Sequence, residues 1–127
     1  MPIVSISELK GQPLDWAVEL LEGGNANIVA RAEGGGYFSF ARSFSSDWAF
    51  GGPIIQREEI TLNAMKSHPP TIWRAIAGEG NSNQPYIEYG ETALEAAMRA
   101  YLLQRIKGTE ETVYIPKELW DTYQQRD

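Results

Sequence analysis

The sequence predicts a single α+β domain over residues 1–127, an antiparallel sheet of about five short strands with two helices packed on it. Three observations carry that prediction. Leu14, Ala17, Val18 and Leu21 recur at the i, i+3, i+4, i+7 spacing of one helix face, and Leu94, Ala97, Met98, Tyr101 and Leu102 form a second such stripe. Around these stripes run short segments rich in β-branched and aromatic residues, punctuated by glycine and proline. No internal repeat, low-complexity tract or linker divides the chain, and 43% hydrophobic residues with 11% aromatics are enough to build one core.

Taken in order, residues 3–6, apolar with Ser5 among them, read as a short strand. The first helix follows, with Pro13 suited to its opening turn and Gly23-Gly24 to its left-handed stop. Trp16 and Leu20 fall off its main stripe, which predicts cover on two sides. Residues 27–32 and 37–42 read as strands joined at Gly34-Gly35-Gly36, since glycine takes positive φ freely. Residues 43–53 read as a loop. Ile54-Ile55 and residues 60–62 read as short apolar segments around the charged 56–59 stretch. Residues 67–70 break the chain, and 71–77 form a strand with Ile72, Arg74 and Ile76 on one face and Trp73, Ala75 and Ala77 on the other. A polar loop spans 78–85. Thr92 and Glu95 then form a capping box that opens the second helix, Glu95 and Arg99 pair at i, i+4, and Gly108 ends it. Residues 113–115 are a short strand, and Pro116 opens a final turn.

Composition excludes several functions. With no cysteine, the chain has no disulfide, thiolate metal site or thiol nucleophile. The apolar runs are a few residues long, short of the roughly 20 that span a bilayer. No basic start leads into an apolar stretch, so a cytosolic location is expected. The net charge of −6 argues against broad contact with a nucleic-acid backbone. It leaves room for a small anion held by converging arginines.

Catalytic candidates are weak. His68 is the only histidine and stands in a turn before Pro69-Pro70, without a metal or nucleophile partner in sequence. Asp15, Asp47, Glu58, Glu59 and Glu79 offer carboxylates, but 17 acidic residues always supply pairs and no spacing here is diagnostic. Gly78-Glu79-Gly80 lacks the lysine and the following helix of a phosphate loop. No catalytic residue, metal ligand or cofactor is therefore expected.

The segment Asp47-Trp48-Ala49-Phe50-Gly51-Gly52-Pro53 carries more. Large rings stand beside glycines that let a backbone or ligand approach. Either Trp48 and Phe50 plug the end of the sheet, with Asp47 capping a turn and Gly51-Gly52 turning the chain, or they form a binding surface; the two roles are compatible. Arg42 and Arg74 face water from strands, or point with Trp48 into a cleft suited to an anionic, nucleotide-like ligand.

Four blocks taken together resemble the NinX-like phage proteins: residues 14–18 (LDWAV), 47–58 (DWAFGGPIIQRE), 92–101 (TALEAAMRAY) and 113–119, where Val113-Tyr114-Ile115-Pro116 precedes Glu118-Leu119. The middle block is the most specific. The resemblance implies a short phage accessory protein working in the bacterial host cytoplasm. It brings no reaction with it, because that family is a domain of unknown function. The motif positions it stresses are Asp15, Trp16, Asp47, Trp48, Gly51, Gly52, Pro53 and Arg57.

Three functions follow as expectations. In the first, the protein sequesters a small nucleotide-like molecule, such as a host defence signal, without chemistry. Trp16 and Trp48 stack a base, Arg57 and Arg74 neutralise phosphates, Gly51-Gly52 offer backbone N–H groups, and Asp47 and Pro53 complete the site. Such a protein is expected to be a homo-oligomer. In the alternative it is an adaptor or inhibitor that binds a host protein through Trp48 and Phe50. An enzyme acting on a nucleotide, with Asp47 or Glu79 as base, is the third reading.

Overall fold

The computed structural model describes residues 2–67, 69–78, 85–106 and 111–124. The chain runs β1 (Ile3–Ser5), a 3-10 turn (Ile6–Glu8), α1 (Gly11–Glu22), β2 (Ile28–Ala30), β3 (Tyr37–Ser39) and α2 (Trp48–Glu58). It continues through β4 (Thr61–Met65), β5 (Ile72–Ala77), β6 (Tyr86–Gly90), α3 (Ala93–Ile106), β7 (Thr112–Tyr114) and α4 (Lys117–Gln124).

Helix α3 is the axis of the molecule. Thr92 Oγ1 accepts from the Glu95 N–H at 3.1 Å, and the Glu95 carboxylate reaches back to the Glu91 N–H at 3.0 Å. The expected capping box forms, with the return bond displaced by one residue. Ala96, Ala97, Met98, Ala100, Tyr101 and Leu102 are all buried. The small residues let the antiparallel sheet β4-β5-β6 lie close against the helix. At Gly90 a Cβ would stand 2.7 Å from the Ala96 backbone nitrogen, so only glycine fits where β6 meets α3. On its other sides α3 meets α1 and α2. Strands β1 and β7 pair, Ile3 opposite Tyr114, and tie the two ends of the chain together. Strands β2 and β3 form a third antiparallel pair, Val29 opposite Phe38.

The α+β class stands, but its details differ from expectation: the described residues form four helices and seven strands in three small sheets, not two helices on one five-stranded sheet. The largest departure is residues 43–53. Their second half is not a loop; it is the start of α2, with Asp47 as N-cap and Gly51, Gly52 and Pro53 inside the helix. Glycine and proline cost about 1 and 3 kcal/mol in a helix interior, so local propensity argued the other way. Tertiary contacts outweigh it, because Gly51 backs directly onto Phe44 and Leu94 and Ile54 enters the core. The final turn is likewise a helix, α4, anchored by buried Leu119. Arg42 lies beyond β3 instead of within it. Trp16 is buried as a second covered side of α1 requires, whereas Leu20 is exposed. His68, Glu79, most of the 78–85 loop and Gly108 lie outside the described residues.

Candidate functional site

Helix α1 carries Asp15, Glu19 and Glu22 at i, i+4, i+7, one carboxylate per turn on one face. Each grips the segment that leads into and along α2. Asp15 Oδ1 accepts from the Ser45 N–H at 2.8 Å. Glu19 takes the Arg42 guanidinium at 2.6 and 3.1 Å and the Arg42 N–H at 3.0 Å. Glu22 takes Arg57 in a two-pronged pair, both prongs at 3.0 Å, and Arg57 also reaches Glu58 at 2.7 Å. Tyr101 joins this last group from α3, donating to Glu22 at 2.5 Å.

The electrostatics follow from these partners. Hydrogen bonds from Arg42 and Arg57 hold the Glu19 and Glu22 carboxyls below the usual range. Burial, with the Glu22 carboxylate beside it, pushes the Tyr101 hydroxyl up to about 12. Asp15 is different. Burial raises its carboxyl to about 6, and the bonds to Ser45 only partly offset that.

This framework holds Trp48 in the open. Asp47 Oδ1 caps α2 by accepting from the Ala49 N–H at 2.9 Å. A Cβ on Gly51 would lie 2.5 Å from the Phe44 carbonyl oxygen and 2.6 Å from Leu94 Cδ2, so the bare backbone sets how closely α2 docks. Gly52 lies under the Trp48 ring, one turn along. With the helix fixed, Trp48 is 55% exposed and Phe50 37%, the latter edge-on to buried Phe44. Trp48 lines a surface cavity of about 410 Å³ with Ser45, Ser46, Trp73, Glu91, Thr92, Ala93 and Leu94. The N-terminal ends of both α2 and α3 open onto it.

The residues expected to form a site are therefore partly assembled. Asp47, Trp48, Gly51, Gly52 and Pro53 share one helix. Trp16 is in the core, 9% exposed, and its ring is not offered for stacking. Arg57 is committed to Glu22 and Glu58. Arg74 bonds Asn63 Oδ1 at 3.1 Å, and strand alternation puts it on the opposite face of the sheet from Trp73 and the cavity. Trp73 and Thr92 are among the lining residues that sequence reasoning did not place at a site. The acidic stripe on α1 was visible as a period of charge within an apolar helix. Among the described residues, no three histidine, aspartate or glutamate side chains converge as a metal set, and no helix is long and apolar enough to cross a membrane.

Fold and site together define a small α+β protein that displays an aromatic surface from a rigidly braced helix. The family described as Bacteriophage P22, NinX matches residues 5–105, and the chain belongs to it. No curated protein matches the chain.

Proposed function

We propose that the protein is a binding module without chemistry of its own, an adaptor or inhibitor that engages a host protein through Trp48 and Phe50 in the bacterial cytoplasm. One observation carries this reading. In the 47–57 motif, Asp47 caps, Gly51 docks, Ile54 packs and Arg57 braces, while Trp48 is left 55% exposed with no structural task that needs it there. An exposed tryptophan on a rigid backbone costs little entropy to bury, and such residues dominate binding energies at protein interfaces. Of the two arginines expected to hold a phosphate, Arg57 is neutralised by Glu22 and Glu58, and Arg74 lies on the opposite face of the sheet from Trp73 and the cavity. The test is affinity capture from a bacterial lysate with wild-type protein and Trp48→Ala, after equal melting temperatures are confirmed. A protein retained by the first and lost by the second supports the proposal; identical captures overturn it.

A specific observation favours a second reading. Trp48 and Trp73 line one cavity onto which two helix N-termini open, and helix N-termini attract anions. A planar nucleotide-like molecule stacked there would make the protein a sequestering agent against host defence signalling. Calorimetry with cyclic and ADP-ribose-type nucleotides decides: heat of binding that Trp48→Ala and Trp73→Ala each abolish would place this reading first. Native mass spectrometry of the same samples tests for a homo-oligomer.

A further inference from the structure

Helix α3 covers only one face of the β4-β5-β6 sheet. Ala75, Ala77, Leu62, Trp73 and Tyr86 belong to that face and to the core. The other face carries Ile72, Ile87 and Tyr89 at 38%, 40% and 48% exposure. Ile76 lies among them. It is largely buried, yet it stands apart from the core cluster that holds its neighbours Ala75 and Ala77. This is a second apolar surface, away from Trp48.

At its centre the register sets Asn63, Arg74 and Tyr89 side by side on three adjacent strands. Arg74 donates through Nη2 to Asn63, while its Nε is buried and has no hydrogen-bond partner. None of the register positions on this face is acidic. Arg42, Arg57 and Arg99 each pair with a carboxylate, whereas among the described residues the Arg74 guanidinium bonds an amide oxygen. A half-buried guanidinium without a carboxylate beside it is best complemented by one.

We infer that this face docks an amphipathic helix of a partner protein that places one Asp or Glu against Arg74 between apolar side chains. Charge complementarity names the carboxylate. Dimensions name the helix: strands about 4.8 Å apart make a three-stranded face about 10 Å wide, the width of one helix. Strands of five or six residues match about 12 residues of helix, and α3 already covers the opposite face in this way. A second copy of this chain is a poor occupant, because twofold pairing of the face brings arginine toward arginine with no acid between them.

The test uses the full chain, labelled with ¹⁵N, and two synthetic amphipathic helices of about 14 residues that differ only in a central Glu or Gln. The Glu peptide is expected to shift the Arg74 Nε–H and the Ile72, Ile87 and Tyr89 amides, and to bind about tenfold tighter than the Gln peptide. Arg74→Gln should erase that difference, Ile87→Ser should weaken both peptides while leaving the fold intact, and Trp48→Ala should change neither. Equal affinity for the two peptides, no response at Arg74, or shifts confined to the Trp48 cavity each overturn the inference. So do concentration-dependent shifts at Ile87 without peptide that Ile87→Ser removes, which would mark a second copy as the occupant.

Discussion

Gly51 decides how α2 sits by having no side chain. The Phe44 carbonyl it faces is backbone and cannot rotate away, unlike the Leu94 methyl beside it. Gly51→Ala should therefore cost about 1–3 kcal/mol despite the better helix propensity of alanine, because overpacking outweighs the gain. Urea unfolding checks this, and a more stable variant would refute the close contact. Asp15 makes the complementary case in charge. Its carboxyl is raised to about 6 from 3.8, so between those values the folded chain holds a proton that the unfolded chain has released. Its contribution is therefore most favourable below about pH 4, declines as pH rises toward 6 and is level above. Asp15→Asn keeps an oxygen for the Ser45 N–H and removes the buried charge. It should be more stable than wild type above pH 6 by about 3 kcal/mol, with the advantage vanishing near pH 4. Glu19 and Glu22 have the opposite sign: their carboxyls are held down by arginine, so their stabilisation is lost as pH falls. Comparing denaturation of the two proteins across pH isolates the Asp15 term, since both share the glutamates.

At the scale of elements, α2 and α3 differ in where their information lies. The opening of α3 is written within five residues, Glu91 to Glu95, with Thr92 capping the Glu95 N–H as the local pattern requires and the return bond one residue earlier. Thr92→Ala should cost about 1 kcal/mol and lower the melting temperature without altering the rest of the fold. Thermal unfolding followed by circular dichroism would show it. Helix α2 has only the Asp47 cap as local text. Gly51, Gly52 and Pro53 spell a turn, and the contacts that overrule them come from Phe44, Leu94 and Glu22, the last 35 residues from Arg57. The same separation explains the site. Trp48 was legible as an aromatic with no local reason to be in a polar stretch. Trp73 was legible only as a strand residue, because no periodicity says which helix end a strand face will meet. The Arg57 and Arg74 roles failed to converge for a related reason: alternation told the faces of the strand apart, but nothing local showed that Glu22 already held Arg57. The cap at Glu59 gives one more test of α2. This residue sits at φ 52, in the left-handed region that favours glycine. Glu59→Gly should leave stability unchanged or raise it slightly, by less than about 1 kcal/mol, since relief of strain opposes the added entropy of the unfolded chain.

For the whole molecule, the decisive contrast is between two tryptophans in the blocks that mark the family. Trp16 and Trp48 look alike in sequence, each following an aspartate and preceding an alanine. The fold gives them opposite work. Asp15-Trp16 faces inward, its carboxylate holding the Ser45 backbone and its ring joining the core; Asp47-Trp48 caps a helix and leaves the ring in solvent. A chain of this size has about 5–15 kcal/mol of stability in total, and emptying a buried aromatic site costs about 3–5 kcal/mol. Trp16→Ala should thus lower the melting temperature steeply and leave a population unfolded at growth temperature. Trp48→Ala should move stability by no more than about 0.5 kcal/mol, as for an exposed substitution. Acrylamide quenching supplies an independent reading, since Trp48 is the most exposed of the tryptophans and its removal should eliminate the most accessible fluorescence. If Trp48→Ala instead unfolded the protein, the ring would be part of the scaffold and the binding role assigned to it would lose its basis. If stability is kept while partner capture or ligand heat is lost, the bracing of α2 and of the segment leading into it by three carboxylates of α1 has its explanation in the surface it holds out.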